Sequence, residues 1–440
     1  MKQGSMHDAN VSRPPDADVI VAGAGIGGIS AALGAARSGA RVILLAPNIG
    51  GTSVHSPVGL ICEFWDDQRR PINTGIHQEL FPWVYPENGG HPWDEVPTYD
   101  ERQLSKRYRQ LLAAEPFIRV KAGKEVTSLA RQGDRISSIQ TSDGAAFSAK
   151  IYIDATGNGN FSALAGARYE IGRKSDGKMQ PATLTFKVTG IDKSALDISD
   201  IKTWAGIRSL RAELLPYYLQ LKATGGTSNQ RENVLCFPYP DGESLLFNQT
   251  RIVGIDPSDP ASVSNGRIKG EKQLREFFGA IREHPAFHNA YIESISMELG
   301  IREGRRVMGD YLLTATDCLH ATKFEDMVAA CAYSLDIHSP DGVGTQMRRI
   351  EAPGYYHIPY RALRAEGLSN LLLGSRCISG THEAHSSYRI MASVSAIGQA
   401  AGVAAALSAR NPLTNTRNIA AASIRAELRQ QNQFTEEPAT

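Results

Sequence analysis

Residues 19–22 form an unbroken apolar run, Val-Ile-Val-Ala, and four glycines follow within the next six positions. An apolar run without polar alternation predicts a strand buried on both faces, as in a parallel sheet. Small and apolar residues at helical spacing over 26–38 predict a helix, and the run over 41–46 predicts a second strand. Strand, helix and strand in that order open a nucleotide-type α/β fold. A Gly/Pro-rich excursion then occupies residues 47–97. Beyond it, an amphipathic helix is predicted over 100–114 and strands over 119–121, 125–130, 136–141 and 145–154, with turns at Gly133-Asp134 and Asp143-Gly144.

From about residue 169 the composition changes. Strand-like segments over 183–188, 233–237 and 244–251 alternate with helices predicted near 207–221, 271–283 and 323–333. An apolar strand returns at 371–373, followed by an Ala/Gly/Ser-rich helix over 390–409. The pattern predicts a domain inserted into the first fold. The expected organisation is a disordered tail (1–16), a first segment of the nucleotide-binding domain (17–168), an α+β substrate domain (169–353), a returning segment of the nucleotide-binding domain (354–410), and a C-terminal helix and tail (411–440). Helix 390–409 has the length of a membrane span. It carries Ser393, Ser395, Gln399 and Ser408 and is mostly Ala and Gly, so a tightly packed internal helix is the expectation.

Composition adds exclusions. The 440 residues hold 47 basic and 46 acidic side chains, a formal net charge of +1, so neither nucleic acid nor a membrane is expected as a partner. Cys62, Cys236, Cys318, Cys331 and Cys377 are scattered and form no C-x-x-C, which argues against disulfide-reductase chemistry or a zinc ribbon. The first sixteen residues are polar and lack a signal-peptide core. The expected setting is cytoplasmic, the expected partner a small-molecule substrate, and the oligomeric state stays open.

The chemistry-bearing motifs are Gly23-x-Gly25-x-x-Gly28, Gly50-Gly51-Thr52-Ser53, Ile153-Asp154-Ala155-Thr156-Gly157-Asn158-Gly159, Gly300-Ile301-Arg302-Glu303-Gly304-Arg305-Arg306-Val307-Met308-Gly309-Asp310, and Ile358-Pro359-Tyr360. Asn370 to Arg376 and Arg389 to Gly402 complete the set. With them the chain resembles the FAD-dependent oxidoreductase family that shares the glutathione-reductase-type dinucleotide fold and is distantly similar to fumarate-reductase-type flavoproteins. The resemblance spans about residues 16–409. It implies an α/β fold, a Rossmann-like FAD-binding domain with an inserted α+β substrate domain, and FAD as cofactor.

By that resemblance, Gly23, Gly25, Ile26, Gly27 and Gly28 approach the pyrophosphate, and Gly50, Gly51, Thr52 and Ser53 pass along the phosphates toward the flavin. Val126 meets the adenine through its backbone, and Ala155, Thr156 and Gly157 flank the nucleotide half. Gly374 and Arg376 approach the ribityl or flavin, and the helix after Arg389 and Ile390 points its N-terminus at the flavin pyrimidine. One departure stands out. The family's second strand usually ends in an acidic residue that binds the ribose, whereas this chain has Ala46, with Asn48 as a substitute acceptor. A nicotinamide enzyme would also need an acidic residue, or an Arg for NADP, at that point, and neither is present.

Proton movers and anion holders fall in three clusters: Arg302, Arg305 and Arg306; Asp336, His338 and Asp341; and His382, Glu383, His385 and Arg389. Chain order sets the third beside the flavin-contacting strand, so His382 and His385, with His338, are candidate catalytic residues, and Arg305 or Arg302 orients a polar or anionic group. Alternatives stay open. His382 and His385 also suit backbone hydrogen bonding, their spacing completes no metal-ligand set, and the Arg triplet also suits interface pairs with carboxylates such as Asp310. Cys62, His55 or His77 would serve a covalent flavin link. Phe64, Trp65, Phe81, Trp83, Tyr85 and Trp93 suit either an active-site cap or a satellite core. The function read from the sequence is hydride transfer between a small organic substrate and flavin N5 by a dehydrogenase or oxidase. A flavin-dependent reductase or monooxygenase, and a non-catalytic nucleotide-binding protein, are the alternatives.

Overall fold

The computed structural model describes residues 14–85, 91–198, 200–411 and 413–436. The tail expected at 1–16 lies, apart from its last three residues, outside the described residues. Five parallel strands form the central sheet in the order Leu371–Leu373, Ala149–Asp154, Ala17–Gly25, Val42–Gly50 and Ile118–Ala122. Chain direction across the sheet reverses at Ala17–Gly25, so the crevice beyond the carboxyl ends of Ala17–Gly25 and Ala149–Asp154 is a topological switch point.

Two helices pack against each other beside this sheet, Ile26–Arg37 and Met391–Arg410. Their glycines bring the backbones together: a Cβ on Gly34 would stand 2.7 Å from the Gln399 carbonyl oxygen, and one on Gly402 would stand 2.8 Å from the Ala31 carbonyl carbon. The small-residue composition of Met391–Arg410 is thus a packing requirement, and the helix is buried within the fold along nearly its whole length.

A second core gathers Val96 and residues 182–299 around an antiparallel sheet ordered Cys236–Pro238, Leu245–Phe247, Phe186–Thr189 and Tyr291–Ile295. Helices Trp204–Ala223 and Pro260–Ile281 pack there, with Phe186 stacked on Phe247 at 5.2 Å and Phe277 edge-on to Phe186.

Three expectations change. The segment 323–333 is not helical: Met327–Cys331 is a fully buried strand paired with Tyr356–Pro359. A five-residue apolar run fits a buried strand or a stretch of helix equally by periodicity, and pairing decided it. Between residues 307 and 335, Val307, Leu313, Cys318, Val328 and Leu335 pack into the core around the parallel sheet, and Met327, Ala330 and Ala332 into a small cluster with Ile72 and Tyr355; none of these joins the second core. The inserted core therefore closes near Leu299, well short of residue 353. Finally, 145–154 divides at Ser148 into Ala146–Phe147, which joins the meander, and Ala149–Asp154, which enters the parallel sheet.

The aromatic excursion is mostly core. Phe64, Phe81 and Tyr85 are buried around His77, whereas Trp83 and Trp93 are exposed. His77 shares a 2.6 Å hydrogen bond through Nδ1 with the Tyr85 hydroxyl, which itself donates to the Asn73 carbonyl. Burial among these rings lowers the His77 pKa to about 3. Between that value and the ordinary one near 6.5, the unfolded chain binds a proton that the folded chain refuses. The contribution to stability is complete above pH 6.5 and falls away as pH drops toward 3. Replacing His77 with Phe is expected to reduce the stability lost between pH 6.5 and 5 by about 2 kcal/mol, measured as the change in urea unfolding free energy.

Candidate cofactor cleft and active site

A cleft opens at the switch point. Gly23, Gly25, Ile26 and Gly27 line it from the first strand and helix, Ala46 and Asn48 from the second strand, and Gly51, Thr52 and Ser53 from the turn beside Gly25. Val126, Ala155, Thr156 and Gly157 line the end near the meander, and Arg376, Arg389 and Met391 the other end. Gly28, Gly50, Gly374 and Ile390 support this lining from behind. A Cβ on Gly28 would strike the Gly23 carbonyl, one on Gly50 would meet Val54, and one on Gly374 would stand 2.6 Å from the Ile153 side chain; Ile390 is the N-cap of Met391–Arg410.

Asp154 fixes the loop after the fourth strand. Its fully buried carboxylate accepts from the Thr156 amide and hydroxyl at 2.9 and 2.7 Å and from the Ser162 amide and hydroxyl at 2.8 and 2.6 Å. Asn158, which the sequence placed in the motif after the fourth strand without a role of its own, accepts from the Arg376 guanidinium at 2.9 Å.

The cleft fits FAD. Helices Ile26–Arg37 and Met391–Arg410 both begin at it, and no side chain caps either N-terminus. Uncapped amides and a positive helix end suit a pyrophosphate at the first and an electron-rich ring edge at the second. Arg376 is partly buried, its Nε is buried without a partner among the described residues, and desolvation draws its pKa down to about 10. A cation on the cleft wall with one buried donor left over suits an anionic or electron-rich ligand. At the second strand, Ala46 offers no acceptor, and the Asn48 side-chain amide donates to Glu298 at 3.4 Å. Glu298, from the inserted core's edge, thus brings a carboxylate to the place where Ala46 lacks one, and it also lines the cleft.

The catalytic candidates lie outside this lining. His382 and His385 sit buried on the short helix His382–Tyr388. His382 Nδ1 meets Glu303 at 2.9 Å, and burial with the nearby Arg306 and Arg389 charges holds the His385 pKa well below its ordinary value. Arg305 donates to Asn160 at 3.0 Å and stacks over Tyr169. Arg306 is buried against Glu303. Asp310 pairs with Arg364 and Arg417, not with the Arg triplet. Asp341 pairs at the surface with Arg173 and Lys178.

His338 and Arg302 belong to a different group, at the Arg389 end of the cleft. Asp336 accepts from Arg389 at 3.2 Å and from the Tyr333 hydroxyl at 3.1 Å, and it pairs with His338 Nε2 at 3.2 Å. These cations and donors overcome the cost of burial and hold the Asp336 pKa well below the usual carboxylate range. Burial, reinforced by the Arg302 charge, lowers the His338 pKa to about 3, so its ring is neutral at pH 7. Arg251 contacts His338 Nδ1 at 3.4 Å, and Arg302 donates to the Pro181 carbonyl at 2.6 Å. Arg231 and Arg251 carried no sequence signal: they are scattered in the chain and converge only through the inserted domain's fold.

Of the residues weighed for a covalent link, His77 is enclosed by aromatic rings and His55 Nε2 faces the Ile49 carbonyl at 3.1 Å. Burial pushes the Cys62 thiol up to about 12, which leaves it protonated. Among the described residues no three His, Cys, Asp or Glu side chains converge as a metal site.

No protein of curated function matches the chain in sequence. Similar solved structures include CabE, an aromatic hydroxylase from angucycline biosynthesis, at 14% identity over 67% of this chain and 54% of that one, with a TM-score of 0.40. The chain thus spans about half the length of that hydroxylase. L-proline dehydrogenase from P. horikoshii matches at 14% identity over 89% of this chain and 93% of that one, TM-score 0.43. A geranylgeranyl bacteriochlorophyll reductase-like protein from Thermoplasma acidophilum matches at 12% identity over 95% and 84%, TM-score 0.45. At these identities and TM-scores the likenesses carry no argument about this chain. The sequence profile described as FAD dependent oxidoreductase matches residues 18–428. The chain therefore belongs to the FAD-dependent oxidoreductase family and is an FAD-using enzyme.

Proposed function

We propose that the enzyme is a dehydrogenase or oxidase of a small organic molecule. The observation that carries this reading is a neutral imidazole, His338, held in a buried arginine-rich group that adjoins the cleft through Arg389. FAD, when bound, supplies a hydride acceptor at N5. The chain must then orient a substrate C–H and take up a proton.

Within that group, His338 Nε2–H donates to Asp336, which fixes the tautomer and leaves Nδ1 as the basic atom. Nδ1 has only long contacts, 3.4 Å to Arg251 and 3.3 Å to the Thr345 hydroxyl. Burial and the surrounding guanidinium charges lower its basicity, and a substrate anion that neutralises those charges raises it again, so that Nδ1 accepts the substrate proton as hydride leaves. Arg302 orients a polar or anionic group. Arg305 and His382 are positioning residues in this reading, because they brace the Asn160 loop and the Glu303 carboxylate, and His385 packs edge-on to Tyr388.

The test is anaerobic mixing of the FAD-loaded protein with candidate C–H donors while flavin absorbance is followed. A substrate that bleaches the wild type should bleach His338→Gln at least about 100-fold more slowly, at equal flavin content. Flavin reduced only by a nicotinamide, followed by an oxygenated product in air, would replace this reading with a monooxygenase.

A further inference from the structure

Beside the cleft, the inserted domain and the Arg389 end enclose more positive charge than their own carboxylates balance. Arg231 and Arg251 are each 4% exposed, and Arg389 and Arg302 are partly buried. Two carboxylates answer these four guanidinium groups: Asp336 pairs with Arg389, and Glu232 pairs with Arg251 at 3.3 Å from the solvent side. His338 adds no charge, being neutral.

The donors are not spent. Arg231 Nη1, Arg251 Nε, Arg389 Nε and Gln180 Nε2 are all buried and lack a partner among the described residues. These groups adjoin one another. Gln180 Oε1 accepts from the His338 amide at 3.2 Å, Arg302 binds the neighbouring Pro181 carbonyl, and the charges of Arg389, Arg231 and Arg251 act with burial to draw Arg302 down to about 9. Buried donors without partners are costly, and unpaired buried cations more so, unless a ligand completes them.

We propose that Arg231, Arg251, Arg302 and Arg389, with Gln180, form the substrate site for a small organic acid carrying two negative charges, held beside the cofactor cleft. This rests on the oxidoreductase reading above and names its substrate class. Two negative charges match the surplus left after Asp336 and Glu232. Guanidinium groups bind carboxylate and phosphate oxygens alike, so both sources share this chemistry.

The experiment uses the FAD-loaded protein at fixed ionic strength. Malonate, inorganic phosphate and uncharged malonamide are titrated, with flavin absorbance and thermal midpoint as readouts. The midpoint of FAD-free protein is followed in parallel. At least one of the two anions should saturate below about 10 mM while malonamide does not. Malonate alone would identify a dicarboxylate, and phosphate alone a phosphate ester. Arg302→Gln and Arg231→Gln should each weaken the anion at least about tenfold with flavin content as in the wild type. Arg302→Lys serves if either fails to fold, and should weaken it less.

Saturation by neither anion, equal binding of malonamide, or unchanged affinity in the variants would overturn the proposal. Anion binding by a protein that takes up no FAD would leave this site standing while removing the oxidoreductase reading.

Discussion

Gly25→Val is expected to abolish FAD retention while leaving the chain folded. Gly25 has φ −74°, open to any residue, and an added Cβ would find only the Gly51 Cα at 3.8 Å. A Cβ therefore fits the protein, and valine's methyls project into the cleft that Gly25 and Gly51 line together. The other glycines of the motif behave differently. Gly23 has φ +107°, and a Cβ there would lie 2.5 Å from the Ala155 carbonyl carbon; one on Gly27 would strike the Gly374 carbonyl. Those positions hold backbone against backbone, whereas Gly25 holds space for a ligand. Reconstitution of the FAD-free variant should show affinity reduced by more than about 100-fold, with a thermal midpoint near that of FAD-free wild type. Gly23→Val should instead lose the folded protein.

Arg306→Met should lower stability by about 3–5 kcal/mol in urea unfolding. Glu303 is fully buried and accepts from Arg306, from His382 Nδ1 at 2.9 Å, and from the Gln180 amide at 2.9 Å. Arg306 also donates to the Gly380 and Gly172 carbonyls at 2.9 and 2.8 Å. Removing the guanidinium strands a carboxylate in a dry site and orphans two carbonyls. Because Glu303 causes much of that cost, Glu303→Gln combined with Arg306→Met should be less destabilising than the sum of the single changes. Additive effects would show that the two do not interact.

The nucleotide half was legible from sequence because its requirements are local. An apolar strand, a turn that needs Gly23, and a helix start that no side chain caps all sit within twelve residues. The same held for Met391–Arg410, whose alanines and glycines signal close packing whatever the partner helix. The strand at Met327–Cys331 was not legible, since its identity depends on pairing with Tyr356–Pro359 about thirty residues later.

The arginine-rich group around His338 was only partly legible. Asp336, His338, Arg302 and Arg389 appeared as candidates in separate clusters, because sequence shows residue types but not which clusters meet. His382 and His385 drew attention through proximity along the chain to the flavin-contacting strand. The short helix instead turns His382 to the buried Glu303 and encloses His385. Arg231 and Arg251 lie in the inserted domain without a motif and come near Asp336 and His338 only because its core folds them there.

The most direct test of the cleft is the visible absorption spectrum of purified protein after incubation with FAD and removal of excess, recorded again after acid precipitation. The structure predicts flavin bands at one FAD per chain that move entirely into the acid supernatant, since neither the protonated Cys62 nor the enclosed His77 is placed for a covalent bond. Protein that retains no flavin would contradict the assignment of this cleft to FAD, and colour that stays with the pellet would contradict its noncovalent binding.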